Sequence, residues 1–169
     1  MRPVDLSDLV PKVVEQLSSV LDGRLVSTTI EPGVVALADA LAVERVLANL
    51  LSNAGKYTPP DSEVAIGLER NGDAAVLCVT DNGPGVAADE REKIFELFYR
   101  SDESARVTRG VGIGLALTRQ LVMHLNGTVA VDDAPGGGAR FRVTIPLANQ
   151  APSSAVPSRS DPAREGAGG

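Results

Sequence analysis

The chain has 169 residues, 43% hydrophobic and 22% charged, with a net charge of −6. That length suits one domain with a substantial core. The acidic balance excludes a generic nucleic-acid or anionic-membrane binder, and aromatics at 3% with no Trp exclude a stacking platform for bases.

One cysteine, Cys78, excludes a disulfide framework and a Cys-based zinc site. No apolar run reaches the ~18 residues of a membrane span and no signal-peptide pattern is present, so the expected location is cytoplasmic.

In chain order, Pro3 to Asp22 reads as a first helix, with Leu6, Leu9, Val10, Val13, Val14 and Leu17 at helical spacing. Ser7 is its expected N-cap, with Pro11 in the first turn. Leu25–Ile30 and Val34–Ala38 read as strands around the turn Glu31-Pro32-Gly33. Asp39 is expected to cap a second helix that stops at Pro59-Pro60. In it Val43, Val46, Leu47, Leu50, Ala54 and Tyr57 share one apolar arc. Asn49, Asn53 and Lys56 form a polar line along its border. Such a line can hold a metal by oxygen and phosphates by charge, or it is simply a hydrogen-bonded helix edge.

Val64–Glu69 and Ala74–Thr80 read as a hairpin through Asn71-Gly72. Asp81-x-Gly83-x-Gly85 follows, a carboxylate at a strand end where backbone can approach a flat ligand, or an ordinary turn. Asp89–Ile94 reads as a short helix followed by Phe95-Glu-Leu-Phe98-Tyr-Arg100. Ser101–Arg109 is polar and carries Arg106 and Arg109, which suits a lid over phosphates or a solvated loop. Gly110-Val-Gly112-Ile-Gly114-Leu115 opens a helix running to Asn126, closed by Gly127, and its free amides suit an anion. The third glycine comes one residue too early for a dinucleotide fingerprint. Thr128–Asp132 and Arg140–Ile145 read as strands around Ala134–Gly138. Residues 1–148 are expected to form one α+β two-layer sandwich, a mixed sheet with helices on one face, and 149–169 a disordered tail rich in Pro, Ala, Ser and Gly. The single histidine, His124, reads as structural, near a helix C-terminus where a cation is favoured.

Together these stretches resemble the ATP-binding catalytic domain of sensor histidine kinases, a Bergerat-type fold shared with gyrase, heat-shock chaperone and mismatch-repair ATPases. Asn49-Leu-Leu-Ser-Asn53-Ala-Gly-Lys56-Tyr57-Thr58 is similar to the asparagine box, and Asp81-Asn-Gly83-Pro-Gly85 to the first glycine box. Phe95–Arg100 is similar to the phenylalanine box, and Gly110–Leu115 to the second glycine box. Gly136–Phe141 is similar to the final glycine turn.

The resemblance implies ATP and Mg²⁺ as cofactors. It implies Asn53 as metal ligand, Asn49 and Lys56 as catalytic phosphate contacts, and Tyr57 beside the nucleotide. Asp81 would take the adenine amine, Gly83 and Gly85 would allow its approach, and Phe98, Arg100, Gly110, Gly112, Gly114 and Leu115 would complete the nucleotide site. In the ATP-hydrolysing relatives a Glu stands where this chain has Asn49, so little hydrolysis is expected. The implied partner is a dimerisation domain carrying the acceptor histidine, on another chain or on another part of a longer kinase, and through it a response regulator. An anti-sigma-type serine kinase and a non-catalytic ATP-sensing module are alternatives. The serine-kinase class would more often place a carboxylate near Asn49, and Glu44 is displaced by more than a turn.

Overall fold

The computed structural model describes residues 1–100 and 112–148. In chain order it holds β1 (Arg2–Asp5), α1 (Leu6–Gln16), β2 (Leu25–Ile30), β3 (Val35–Ala38), α2 (Ala40–Tyr57), β4 (Glu63–Asn71) and β5 (Ala74–Asp81). The helix α3 (Gly114–His124) and the strands β6 (Thr128–Asp133) and β7 (Ala139–Pro146) follow. Short 3₁₀ turns cover Ser18–Leu21 and Lys93–Phe95.

Five strands form the main sheet in the order β2-β4-β5-β7-β6, and a small sheet pairs β1 with β3. β2 runs parallel to β4, and every other pairing in the main sheet is antiparallel. Alternation directs Val64, Ile66 and Leu68 of β4, Leu77 and Val79 of β5, and Phe141, Val143 and Ile145 of β7 into one core. Val10 and Val13 of α1, Leu47, Leu50 and Leu51 of α2, and Val122 of α3 cover that face. The expected two-layer α+β sandwich is the observed fold.

The first helix departs from its sequence reading. Residues 2–5 pair with β3, and Asp5 rather than Ser7 caps α1 by accepting from the Asp8 amide. The Ser7 hydroxyl instead donates to the Glu31 carbonyl (2.6 Å) and accepts from the Val34 amide (2.9 Å), stitching α1 to the β2–β3 turn. Pro11 therefore lies inside the helix. The pattern beyond Gln16 continues as a 3₁₀ turn. Asp39 caps α2 as expected, accepting from the Leu41 and Ala42 amides. The β4–β5 turn lies one residue later than read: Asn71 pairs with Ala74, and Gly72 takes the positive φ of +58°. Residues 89–92 are turns rather than helix. At the end of α3, Asn126 adopts the left-handed conformation (φ +56°) and the Gly127 amide donates to the Val122 carbonyl, so the left-handed C-terminal position falls one residue earlier.

On the sheet face away from the helices, Asp132 accepts from Arg140 Nε at 2.7 Å and also pairs with Arg142. The Arg140 hydrogen bond holds the Asp132 carboxyl below the usual carboxylate range. The stabilisation is complete above the unfolded-chain pKa and lost as pH falls through the lowered folded one. Asp132→Asn should therefore cost a little stability at neutral pH and flatten the loss below about pH 4, read by urea unfolding across pH. Leu47 is fully buried under the Asn-bearing stretch of α2, and Leu47→Ala should cost about 2–5 kcal/mol. The check is the urea midpoint at unchanged slope.

Candidate active site

One cavity of about 1040 Å³ lies where the C-terminal half of α2, the end of β5 and the start of α3 meet the β6–β7 turn. That is the top of the range for small-molecule sites, roughly 300–1,000 Å³.

Asp81 is placed by strand alternation on the same face as Leu77 and Val79, at the position where β5 ends. It is only 8% exposed and lines the cavity. Its Oδ1 accepts from the Gly83 amide at 2.9 Å and from the Ala139 amide at 3.3 Å. Those two amides commit Oδ1, so Oδ2 is the oxygen left for a donor in the cavity. The backbone crowds closely around this carboxylate. A Cβ on Gly138, whose φ is +98°, would sit 2.0 Å from the Asp81 carbonyl oxygen. A Cβ on Gly83 would sit 2.9 Å from the Tyr57 carbonyl oxygen. Gly83 does not itself line the cavity, whereas Gly85 does.

The last turns of α2 bring Asn53, Lys56 and Tyr57 to the cavity. Sequence reading missed the residue that holds those turns. Arg24 donates to the carbonyls of Gly55 (2.7 Å) and Thr58 (2.6 Å) and to Thr58 Oγ1 (3.2 Å), satisfying the C-terminal groups of α2. Arg24 carries no sequence signal, because the contacts span 31 and 34 residues.

Gly112, Gly114, Leu115 and Arg100 also line the cavity. Asn49 does not. Its amide donates to the Gly114 carbonyl (3.2 Å) and to Thr118 Oγ1 (3.3 Å), so it ties α2 to the first turn of α3. Thr118 is fully buried and bonds Gly114 in turn. Phe98 also lies off the cavity: it is 68% exposed with φ +63°, and its amide donates to the Gly112 carbonyl. Phe95 is the buried member of the pair, packed edge-on against Phe141 at 6.5 Å. Gly110, Arg106, Arg109 and the rest of the expected lid lie outside the described residues, as does the expected tail. His124 is exposed in the last turn of α3.

This two-layer sandwich gathers an acceptor carboxylate, a carboxamide, an ammonium and glycine backbone around one cavity. The family described as histidine kinase-, DNA gyrase B-, and HSP90-like ATPase matches residues 38–149, and the chain belongs to that family. It is 35% identical over 150 residues to the sensor histidine kinase TmoS of Ectopseudomonas mendocina, covering 86% of this chain and 15% of that protein. It is 34% identical over 146 residues to the sensor-like histidine kinase SenX3 of Mycolicibacterium smegmatis, covering 85% and 38%. The chain thus spans well under half the length of these relatives. The structure of a mycobacterial sensor histidine kinase MprB superposes with a TM-score of 0.76 at 30% identity, over 86% of this chain and 97% of that one. Full-length ShkA in complex with AMPPNP superposes with a TM-score of 0.75 at 33% identity, over 86% of this chain and 31% of that one. Among the described residues, no helix is long and apolar enough to cross a membrane.

Gly138→Ala should leave the strands formed but displace Asp81, because backbone rather than a flexible side chain blocks the new Cβ. The expected result is loss of nucleotide binding in calorimetry, with an unfolding midpoint lowered by strain at positive φ.

Proposed function

We propose that this chain is the ATP-binding catalytic module of a histidine kinase. It would bind Mg-ATP and pass the γ-phosphoryl group to a histidine on a separate dimerisation domain or chain, and through it to a response regulator. The reading places the module in the cytoplasm. The observation that carries it is Asp81, a buried carboxylate gripped through one oxygen by two backbone amides and presenting the other to the cavity.

In this reading Asp81 accepts the exocyclic amine of adenine, and Gly85 lets the backbone lie close to the ring. Tyr57 lies beside the nucleotide, and the triphosphate extends toward Asn53, Lys56 and Arg100. The amides at Gly112, Gly114 and Leu115 face its oxygens at the start of α3. Among the described residues no cluster of three or more His, Cys, Asp or Glu could hold a metal. That suits a cation that arrives with the triphosphate and takes one amide oxygen from the protein, the role given to Asn53. Mg²⁺ so held would spread the charge of the transferring group. Lys56 neutralises phosphate charge from the adjacent turn of the helix.

During transfer the bond from the γ-phosphorus to its bridging oxygen breaks and a bond to an imidazole nitrogen forms, so the site has only to position and neutralise. The carboxamide at position 49 supports transfer over hydrolysis. A carboxamide cannot act as a general base toward water, and here it couples the phosphate-facing helix to α3.

Asp81→Asn should weaken ATP binding roughly 30-fold or more, since an amide NH₂ would face the adenine amine. Asn53→Ala should spare Mg²⁺-free nucleotide binding and reduce the Mg²⁺-dependent step. The deciding experiment incubates the chain with γ-labelled ATP, Mg²⁺ and separately produced dimerisation domains. Label on the partner that survives base and is lost in acid is the expected outcome. Tight ATP binding by Asp81→Asn would sink the adenine assignment.

A further inference from the structure

The cavity has a second polar feature that this nucleotide reading does not use. Arg91 Nη2 donates to Asp133 Oδ1 at 2.7 Å across 42 residues of sequence, and Arg91 Nε donates to the Val86 carbonyl at 3.2 Å. All three residues line the cavity. Their partners are the two backbone walls beside Asp81. Val86 directly follows Gly85, in the segment that begins with the Gly83 amide on Asp81 Oδ1. Asp133 ends β6 directly opposite Ala139, whose amide is the other donor to that oxygen.

One guanidinium therefore ties together the two stretches that must stand at a set spacing for Asp81 to be held and for a flat ring to enter. The planar fork suits this task, because its N–H groups point in fixed directions toward two acceptors. Neighbouring pairs anchor the same segment elsewhere: Glu90 accepts from the Tyr99 hydroxyl at 2.8 Å, and Glu92 pairs with Arg119 of α3 at 3.6 Å. Only the Arg91 fork reaches both walls of the carboxylate end among these contacts.

We propose that Arg91 and Asp133 form a clasp across the base end of the cavity and act as positioning residues that set its affinity for the base. This rests on the reading of the cavity as a nucleotide site. The clasp touches neither the chemistry nor the phosphates. ATP and ADP should feel its loss equally. Asp133 is 77% exposed at its side chain, so the effect is modest and weakens with salt.

The test measures ATP and ADP binding by calorimetry at low and high salt for the parent chain, Arg91→Met, Asp133→Asn, the double variant, and the reversed pair Arg91→Asp/Asp133→Arg. Each single variant should weaken both nucleotides by the same factor, roughly two- to fivefold. The double variant should be no weaker than Arg91→Met, and the reversed pair should recover part of the loss at low salt. Amide exchange at Gly83 and Ala139, measured without nucleotide, should quicken in the single variants. Loss confined to ATP would overturn the clasp, as a phosphate contact would do that. So would a loss in Arg91→Met with none in Asp133→Asn, which would mean that Arg91 meets the nucleotide directly. If the parent chain bound no ATP, the nucleotide reading itself would fall. The exchange data would still judge the clasp: unchanged exchange at Gly83 and Ala139 would overturn it.

Discussion

A carboxylate on the core side of a strand is costly unless its charge is met by hydrogen bonds, and Asp81 is met by backbone from two directions. The Gly83 amide comes from the continuation of its own strand, and the Ala139 amide from the start of β7. Convergence of those two stretches requires the main chain at 138 to press against the main chain at 81, closer than any Cβ permits. Gly138 follows from this one requirement. A carboxylate held in this way keeps a single orientation, with one oxygen consumed by the fold and one available for recognition.

The rest of the site is built by long-range ties of the same kind. Arg24 closes the end of α2 that carries Asn53, Lys56 and Tyr57, and Asn49 joins the middle of that helix to the first turn of α3. Arg91 bridges the two walls next to Asp81. Each of these side chains spends its donors on backbone or on one defined partner. The cavity is thus framed by side chains that hold backbone in place, while its lining mixes apolar residues such as Ile94, Leu115 and Phe141 with a small number of polar groups. Lys56, Arg91 and Arg100 line this cavity together with Asp81, Glu90 and Asp133, and Arg91 is paired with Asp133, so Lys56 and Arg100 are the cations that an anionic ligand would use.

Much of the fold was legible in sequence because periodicity and turn chemistry are local. The apolar arc of α2, its Asp39 cap and the glycine-rich β6–β7 turn appear where their patterns put them, and the β4–β5 hairpin forms with its turn shifted by one residue. The misplacements have local competitors as their cause. Ser7 and Asp5 are both good cap residues, and the choice went to Asp5 because residues 2–5 pair with β3 and Ser7 was drawn to the β2–β3 turn. The Phe95–Arg100 motif identified a site boundary but not which ring would be buried. Phe95 has Phe141 to pack against, whereas Phe98 sits at positive φ with its ring turned outward.

The sequence by itself determined the class of the molecule, its sandwich architecture and the order of its nucleotide-site motifs. Those depend on residue type and short spacing, which survive without knowledge of the fold. Only the tertiary structure decided that Asn49 faces α3 rather than the cavity, that Arg24 holds the end of α2, and that Arg91 meets Asp133. These are meetings of one long polar side chain with partners 31 to 69 residues away, and no local pattern encodes them. Which of several exposed arginines or amides finds a partner is set by where the sheet brings the backbone, after the core has chosen the register.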